Sequence, residues 1–184
     1  MVISIHVINE VNMKLAIINH GVPGSGMSTM AAAIQRACHL ANRTCEIFSA
    51  DDLFMVNGEY KFVGSKLPEY HKNTLGRYVH SMQRHTECVI SDNTNIKPEH
   101  AQQYRDMAMH GGYKVIVLNF IPSTVKKHRE RDIHSVPRST IHRLIHECRT
   151  VPVLPDELSF NITEGNFMER LEYIPEIVCA FLSR

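Results

Sequence analysis

The residues best placed to do chemistry run Gly21-Val22-Pro23-Gly24-Ser25-Gly26-Met27-Ser28-Thr29. They meet the phosphate-loop pattern GxxxxGK(S/T) at every fixed position but one, where Met27 replaces lysine. Glycines at 21, 24 and 26 let backbone N–H groups close around an anion, and a following helix N-terminus adds partial positive charge. Ser25 and Thr29 complete the cradle, and the Ser28 hydroxyl is placed for Mg²⁺ bound with the phosphates. Methionine keeps the length of lysine and drops its charge. Losing one such contact in the transition state costs about 3–4 kcal/mol, or roughly 10²–10³ in rate. The loop therefore predicts nucleotide binding with impaired turnover. A near-isosteric exchange in an otherwise complete loop points to an introduced lysine-to-methionine change. The alternatives are a natural chain that binds without efficient catalysis, or another lysine moved into the site.

Two carboxylate runs follow apolar segments. One is Ser49-Ala50-Asp51-Asp52-Leu53-Phe54 and the other is Val89-Ile90-Ser91-Asp92-Asn93-Thr94-Asn95. In an open parallel sheet the carboxyl ends of the strands face the ligand crevice. Asp51 there can accept the proton of an attacking hydroxyl, while Asp52 serves equally well as a cap for the next turn. Asp92 suits a second phosphate-site carboxylate, touching Mg²⁺ or its water shell. Asn93 and Thr94 read as substrate-binding groups or as caps, and capping alone explains Asn95.

Basic charge is concentrated in residues 126–149, which sum to +4 and include Lys127 and Arg131. Such a segment suits a lid closing over polyphosphate, a surface tracking a nucleic-acid backbone, or a plain solvated helix face. His142 and His146 have the spacing of a zinc pair but lack a third ligand in sequence, so a metal is not expected there.

The elements that must hold these groups alternate. Strands are expected at Leu15–Asn19, Cys45–Ser49, Cys88–Ser91 and Tyr113–Phe120, from their apolar and β-branched content. Helices are expected at Ser28–Ala41, Pro68–Glu87 and Pro98–His110, the last closed by Gly111-Gly112. Two shorter helices, about Ser123–Ile133 and Pro137–Thr150, and a last one near Asn166–Leu182 complete the pattern. Alternation implies a mainly parallel sheet covered on both faces, a three-layer α/β arrangement with a helical lid. Residues 13–150 read as the domain, 151–184 as an extension packing on it, and 1–12 as an N-terminal extension or extra strand.

Composition narrows the class further. Twenty basic against nineteen acidic residues exclude a uniformly basic nucleic-acid coat and an acidic disordered protein. No apolar run approaches the ~20 residues of a membrane helix, and the broken apolar opening makes a poor signal peptide. Five cysteines without a CxxC pair argue against a disulfide framework or a zinc ribbon, and for a reducing, cytoplasmic setting.

Taken in order, the loop Gly21–Thr29, the pair Asp51-Asp52, the run Ser91–Asn95 and Arg131-Asp132-Ile133-His134-Ser135-Val136-Pro137 resemble the phage-type 5′-hydroxyl polynucleotide kinases and their P-loop relatives. The match covers about residues 13–150. The resemblance implies a P-loop NTPase fold, ATP and Mg²⁺ as cofactors, and the 5′ ends of DNA or RNA as partners. It implies Asp51 as the general base, Arg131 as the lid arginine on the migrating phosphoryl group, and Lys127 as a second basic lid residue. The family pattern has lysine at Met27 and a substrate-gripping arginine at Phe54, so this chain departs from it twice. No phosphatase-like DxDxT run follows, and 3′-end trimming is not expected. The rival readings are a kinase for a small hydroxyl compound, nucleoside or nucleotide, and a non-catalytic nucleotide-binding interaction module.

Overall fold

Six consecutive buried residues, Leu15–His20, form the central strand β1 of a five-stranded sheet. The structure is a computed structural model that describes residues 13–150 and 158–183. The expectations for residues 1–12, an extra strand among them, lie outside the described residues. After β1 the chain runs through α1 (Met27–Leu40), β2 (Cys45–Phe48), a short hairpin of β3 (Met55–Val56) and β4 (Glu59–Tyr60), and α2 (Leu67–Gln83). It continues with β5 (Cys88–Ser91), α3 (Pro98–His110), β6 (Lys114–Phe120), α4 (Val125–Arg131), α5 (Arg138–Thr150), β7 (Ser159–Ile162) and α6 (Phe167–Leu182). The main sheet has the order β2-β5-β1-β6-β7 with every pairing parallel.

A parallel strand in the middle of such a sheet is covered on both faces and must be apolar on both. On one face Leu15 and Ile17 pack with Met30 and Ile34 of α1 and Ile174 and Val178 of α6. On the other, Ala16 and Ile18 meet Tyr78 of α2 and Tyr104 and Ala108 of α3. Each large buried side chain contributes about 1.5–3 kcal/mol. A third cluster joins Val22 of the loop and Ile96 to Ile141, Ile145 and Cys148 of α5, which anchors the base of the lid to the sheet edge.

Three differences from the sequence expectation have local causes. Helix α2 stops at Gln83 instead of continuing to Glu87, because His85 adopts a left-handed φ of 64°. The Thr86 N–H then bonds back to the Ser81 carbonyl at 3.3 Å and closes the helix. Strand β7 extends the sheet beside β6 within the stretch expected to carry only a final helix. Its four residues alternate in exposure and form no apolar run, so periodicity had nothing to register. The β3–β4 hairpin was not expected either, although Asn57 (φ 53°) and Gly58 (φ 82°) supply the two left-handed residues its tight turn needs. Among the described residues, no helix is long and apolar enough to cross a membrane.

Candidate active site

The phosphate loop leaves the carboxyl end of β1 and is shaped by close approach as much as by glycine freedom. Gly24 has φ 73°, and a Cβ there would lie 2.3 Å from the His128 carbonyl oxygen. Gly26 has φ 96° and faces the Phe167 ring, which a Cβ would meet at 2.5 Å. No side chain caps the N-terminus of α1, so its first N–H groups are left for an anion. The Ser25 hydroxyl is buried without a partner, a donor that a phosphate oxygen would satisfy. These features fit a nucleotide phosphate chain. Met27 packs against the apolar cluster between α1 and α6, with its sulfur beside Gly21.

His128 joins the lid to this loop. Its Nδ1 donates to the Pro23 carbonyl at 3.1 Å, and its Nε2 accepts from the Ser123 N–H at 3.0 Å. Those partners select the neutral ring, and burial, the main cause, lowers its pKa. Nothing in the sequence singled His128 out, because its partners Pro23 and Ser123 are brought to it by the fold.

Strand order places β2, β5 and β1 side by side, so Asp51, Asp92 and the loop share one edge. Asp92 accepts from Asn19 Nδ2 at 2.9 Å and from the Ser28 hydroxyl. Burial raises its pKa, the Ser28 and Asn19 bonds oppose that, and the charges of Asp51 and Asp52 add to it. A hydroxyl beside a crowded carboxylate is the donor set that suits Mg²⁺. A divalent cation there would offset the repulsion.

Asp51 opens the turn after β2. Its Oδ1 accepts from the Tyr60 hydroxyl at 2.8 Å, and its Oδ2 lies 3.7 Å from His134 Nε2. The Tyr60 and His134 rings stack at 4.1 Å between centroids. Burial, then the bond to Asp51, raises the Tyr60 phenol, which stays a donor. Tyr60 is a site residue that sequence reading missed, and the Asn57-Gly58 turn signal would have brought it back beside Asp51. Phe54 is buried under Tyr60, Phe62 and Tyr70 and does not face the edge as a substrate-gripping side chain would. Asp52 is exposed beside Asp51.

The remaining expected residues divide. Asn93 is buried, accepting from the Ala50 N–H at 3.0 Å and donating to the Phe48 carbonyl at 3.3 Å. It thus holds the turn that carries Asp51 and is committed internally. Thr94 contributes its carbonyl to the Gly21 N–H at 3.0 Å. Asn95 donates to the Asn19 carbonyl at 2.8 Å and does not cap α3, whose N-cap is Lys97 with no side-chain bond. Lys127 and Arg131 both bind Glu164, at 2.6 and 2.8 Å. The structure therefore gives these two cations a carboxylate partner from the segment before α6. Glu164 was not singled out by sequence; the Lys127 bond leads the causes that bring its carboxyl down to about 2.

A family model described as an AAA domain matches residues 17–145, from β1 into α5. The chain belongs to that AAA-domain family. Human NEDD4-binding protein 2 is 29% identical to this AAA-domain chain over 166 residues, or 88% of the chain. The chain spans only 9% of that relative's length. Among solved structures, Kti12 of Chaetomium thermophilum, in complex with ADP-AlF3, superposes with a TM-score of 0.64 at 14% identity. That match covers 91% of this chain and 98% of the other. The Mycobacterium tuberculosis APS kinase CysC, in complex with AMPPNP and APS, gives 0.60 at 15% identity, covering 94% and 99%. A gluconokinase from Sinorhizobium meliloti 1021 gives 0.54 at 16%, covering 94% and 93%. At these identities the likeness establishes the fold, the α/β arrangement of P-loop NTPases and kinases.

Proposed function

We propose that this AAA-domain chain is built for ATP-dependent phosphoryl transfer to a hydroxyl group, with a nucleoside or small nucleotide as acceptor. The observation that carries the reading is the state of Asp51. One carboxylate oxygen is pinned by Tyr60, and the other, 3.7 Å from His134, is open to a hydroxyl on the edge that holds the phosphate loop. A carboxylate so held can take the acceptor proton as attack begins. The Tyr60 and His134 rings beside it, tilted 36° to one another, offer an aromatic edge against which a nucleobase can pack. Loop amides and Ser25 would bind the phosphates, and Lys127 and Arg131 would cover them on leaving Glu164. Ser28 and Asp92 would hold Mg²⁺, which when bound neutralises charge between the phosphate groups. Met27 lacks the lysine charge, so binding is retained better than turnover.

A second reading makes the acceptor the 5′-hydroxyl of a polynucleotide. It is favoured by the ordered resemblance of Asp51-Asp52, Ser91–Asn95 and Arg131–Pro137, and by the +4 lid segment. One assay separates the readings. Met27→Lys protein is incubated with labelled ATP and either nucleosides, nucleotides or 5′-hydroxyl oligonucleotides. Transfer to the small acceptors at least tenfold above the Met27 chain is expected. A tenfold preference for oligonucleotides would select the second reading. Unchanged background transfer, with ATP still bound by calorimetry, would overturn both and leave a nucleotide-binding module.

A further inference from the structure

Four of the five cysteines converge at the end of the sheet opposite the phosphate loop. Cys45 and Cys88 are the first residues of β2 and β5 and direct partners in the parallel register. Cys38, in the last turns of α1, packs against them in the same apolar cluster. The sulfurs of Cys38, Cys45 and Cys88 all lie within 4.8 Å of one another, and all three residues are buried. Cys179 of α6, outside that set of three, is partly buried and packs against the same cluster. All are free thiols. Filling an apolar core does not require sulfurs from three separate elements to meet at one point.

We propose that Cys38, Cys45, Cys88 and Cys179 form a closed tetrathiolate site for a structural zinc ion. Zinc–sulfur bonds of about 2.3 Å place tetrahedral sulfurs roughly 3.8 Å apart, so the three buried sulfurs need to close by no more than about 1 Å. Binding exchanges the S–H protons for the metal, with no change of oxidation state. The donor set contains no carboxylate, and Cys179 would fill the fourth position, which selects a soft, structural metal over a catalytic one. The ion would tie α1, β2, β5 and α6 together. The proposed site differs from a zinc ribbon, whose cysteines come in closely spaced pairs. The absence of CxxC spacing simply carried no information about thiols brought together by the sheet register.

The test uses the full chain refolded under reducing conditions with zinc sulfate, then freed of loose metal by gel filtration. Elemental analysis is expected to find one zinc per chain, and the melting temperature to rise by at least 5 °C over metal-free protein. Cobalt(II) in place of zinc should give a thiolate-to-metal charge-transfer band. Cys179→Ser, at the half-exposed edge of the group, should weaken zinc retention against a chelator at least tenfold. Cys148→Ser, outside the group, should leave it unchanged. Should Cys38→Ser or Cys45→Ser fail to fold, Cys179→Ser and the cobalt spectrum still decide. A folded protein with less than a tenth of an equivalent of zinc and five titratable thiols would overturn the site, as would cobalt bound without a thiolate band.

Discussion

In the phosphate loop, Gly24 and Gly26 hold left-handed backbone with the His128 carbonyl and the Phe167 ring pressed against them. In the lid, Lys127 and Arg131 hang on one exposed carboxylate, Glu164. The loop is held by steric exclusion and buried packing, which salt leaves largely alone. The lid cations are held by exposed ion pairs, which are individually weak and screened by salt. A binding loop has to exist before its ligand arrives, whereas a lid must let go of one anion to grip another. On the proposed function, Glu164 competes with nucleotide phosphate for Lys127 and Arg131.

The largest expected effect tests the chemistry both regions serve. In the Met27→Lys protein, Asp51→Asn should lower phosphoryl transfer by roughly 10²–10⁴-fold, the usual contribution of a general base, with ATP affinity within twofold by calorimetry. Equal transfer would remove Asp51 from the base role. Next, Gly24→Ala should cost about 2–4 kcal/mol of stability in chemical denaturation, from left-handed strain and collision with the His128 carbonyl. A neutral result would show that the loop yields as easily as the lid.

The joint between the regions should respond to pH. His128, His20 and His71 all have pKa values lowered from 6.5, burial being the main cause in each. In the unfolded chain these rings protonate first, so stability is full above about pH 6.5 and falls as pH drops from there toward the folded values. Melting temperatures measured between about pH 7.5 and 5 should decline. A flat profile would contradict the burial of these rings. The smallest effect on the fold belongs to Glu164→Gln, which should leave the melting temperature unchanged and strengthen ATP binding several-fold at low salt. A marked loss of stability would make Glu164 a structural clamp and remove it from the lid comparison.

Much of this was legible because it is local. The loop Gly21–Thr29 declares itself by spacing, and Asp51 and Asp92 by standing at the ends of apolar runs. Helix α3 was readable to the residue because Pro98 and Gly111-Gly112 punctuate it. Tyr60 escaped because its only sequence signal is a two-residue turn between strands of two residues each. Asn93, read as a substrate-binding group or a cap, has its amide bonded to the Ala50 N–H and the Phe48 carbonyl, contacts across more than forty residues that no local pattern signals.

By itself, then, the sequence determined the alternation of strands and helices, the phosphate loop with its methionine, and the carboxylates in line with it. These depend on propensity, periodicity and spacing within a few residues. Only the tertiary structure decided that β7 joins the sheet, that Glu164 holds Lys127 and Arg131 across more than thirty residues, and that three cysteines meet with a fourth packed beside them. Those contacts depend on strand order and register, which no local pattern encodes: parallel strands adjacent in space are joined by long crossovers, so neighbours in the sheet are distant in the chain.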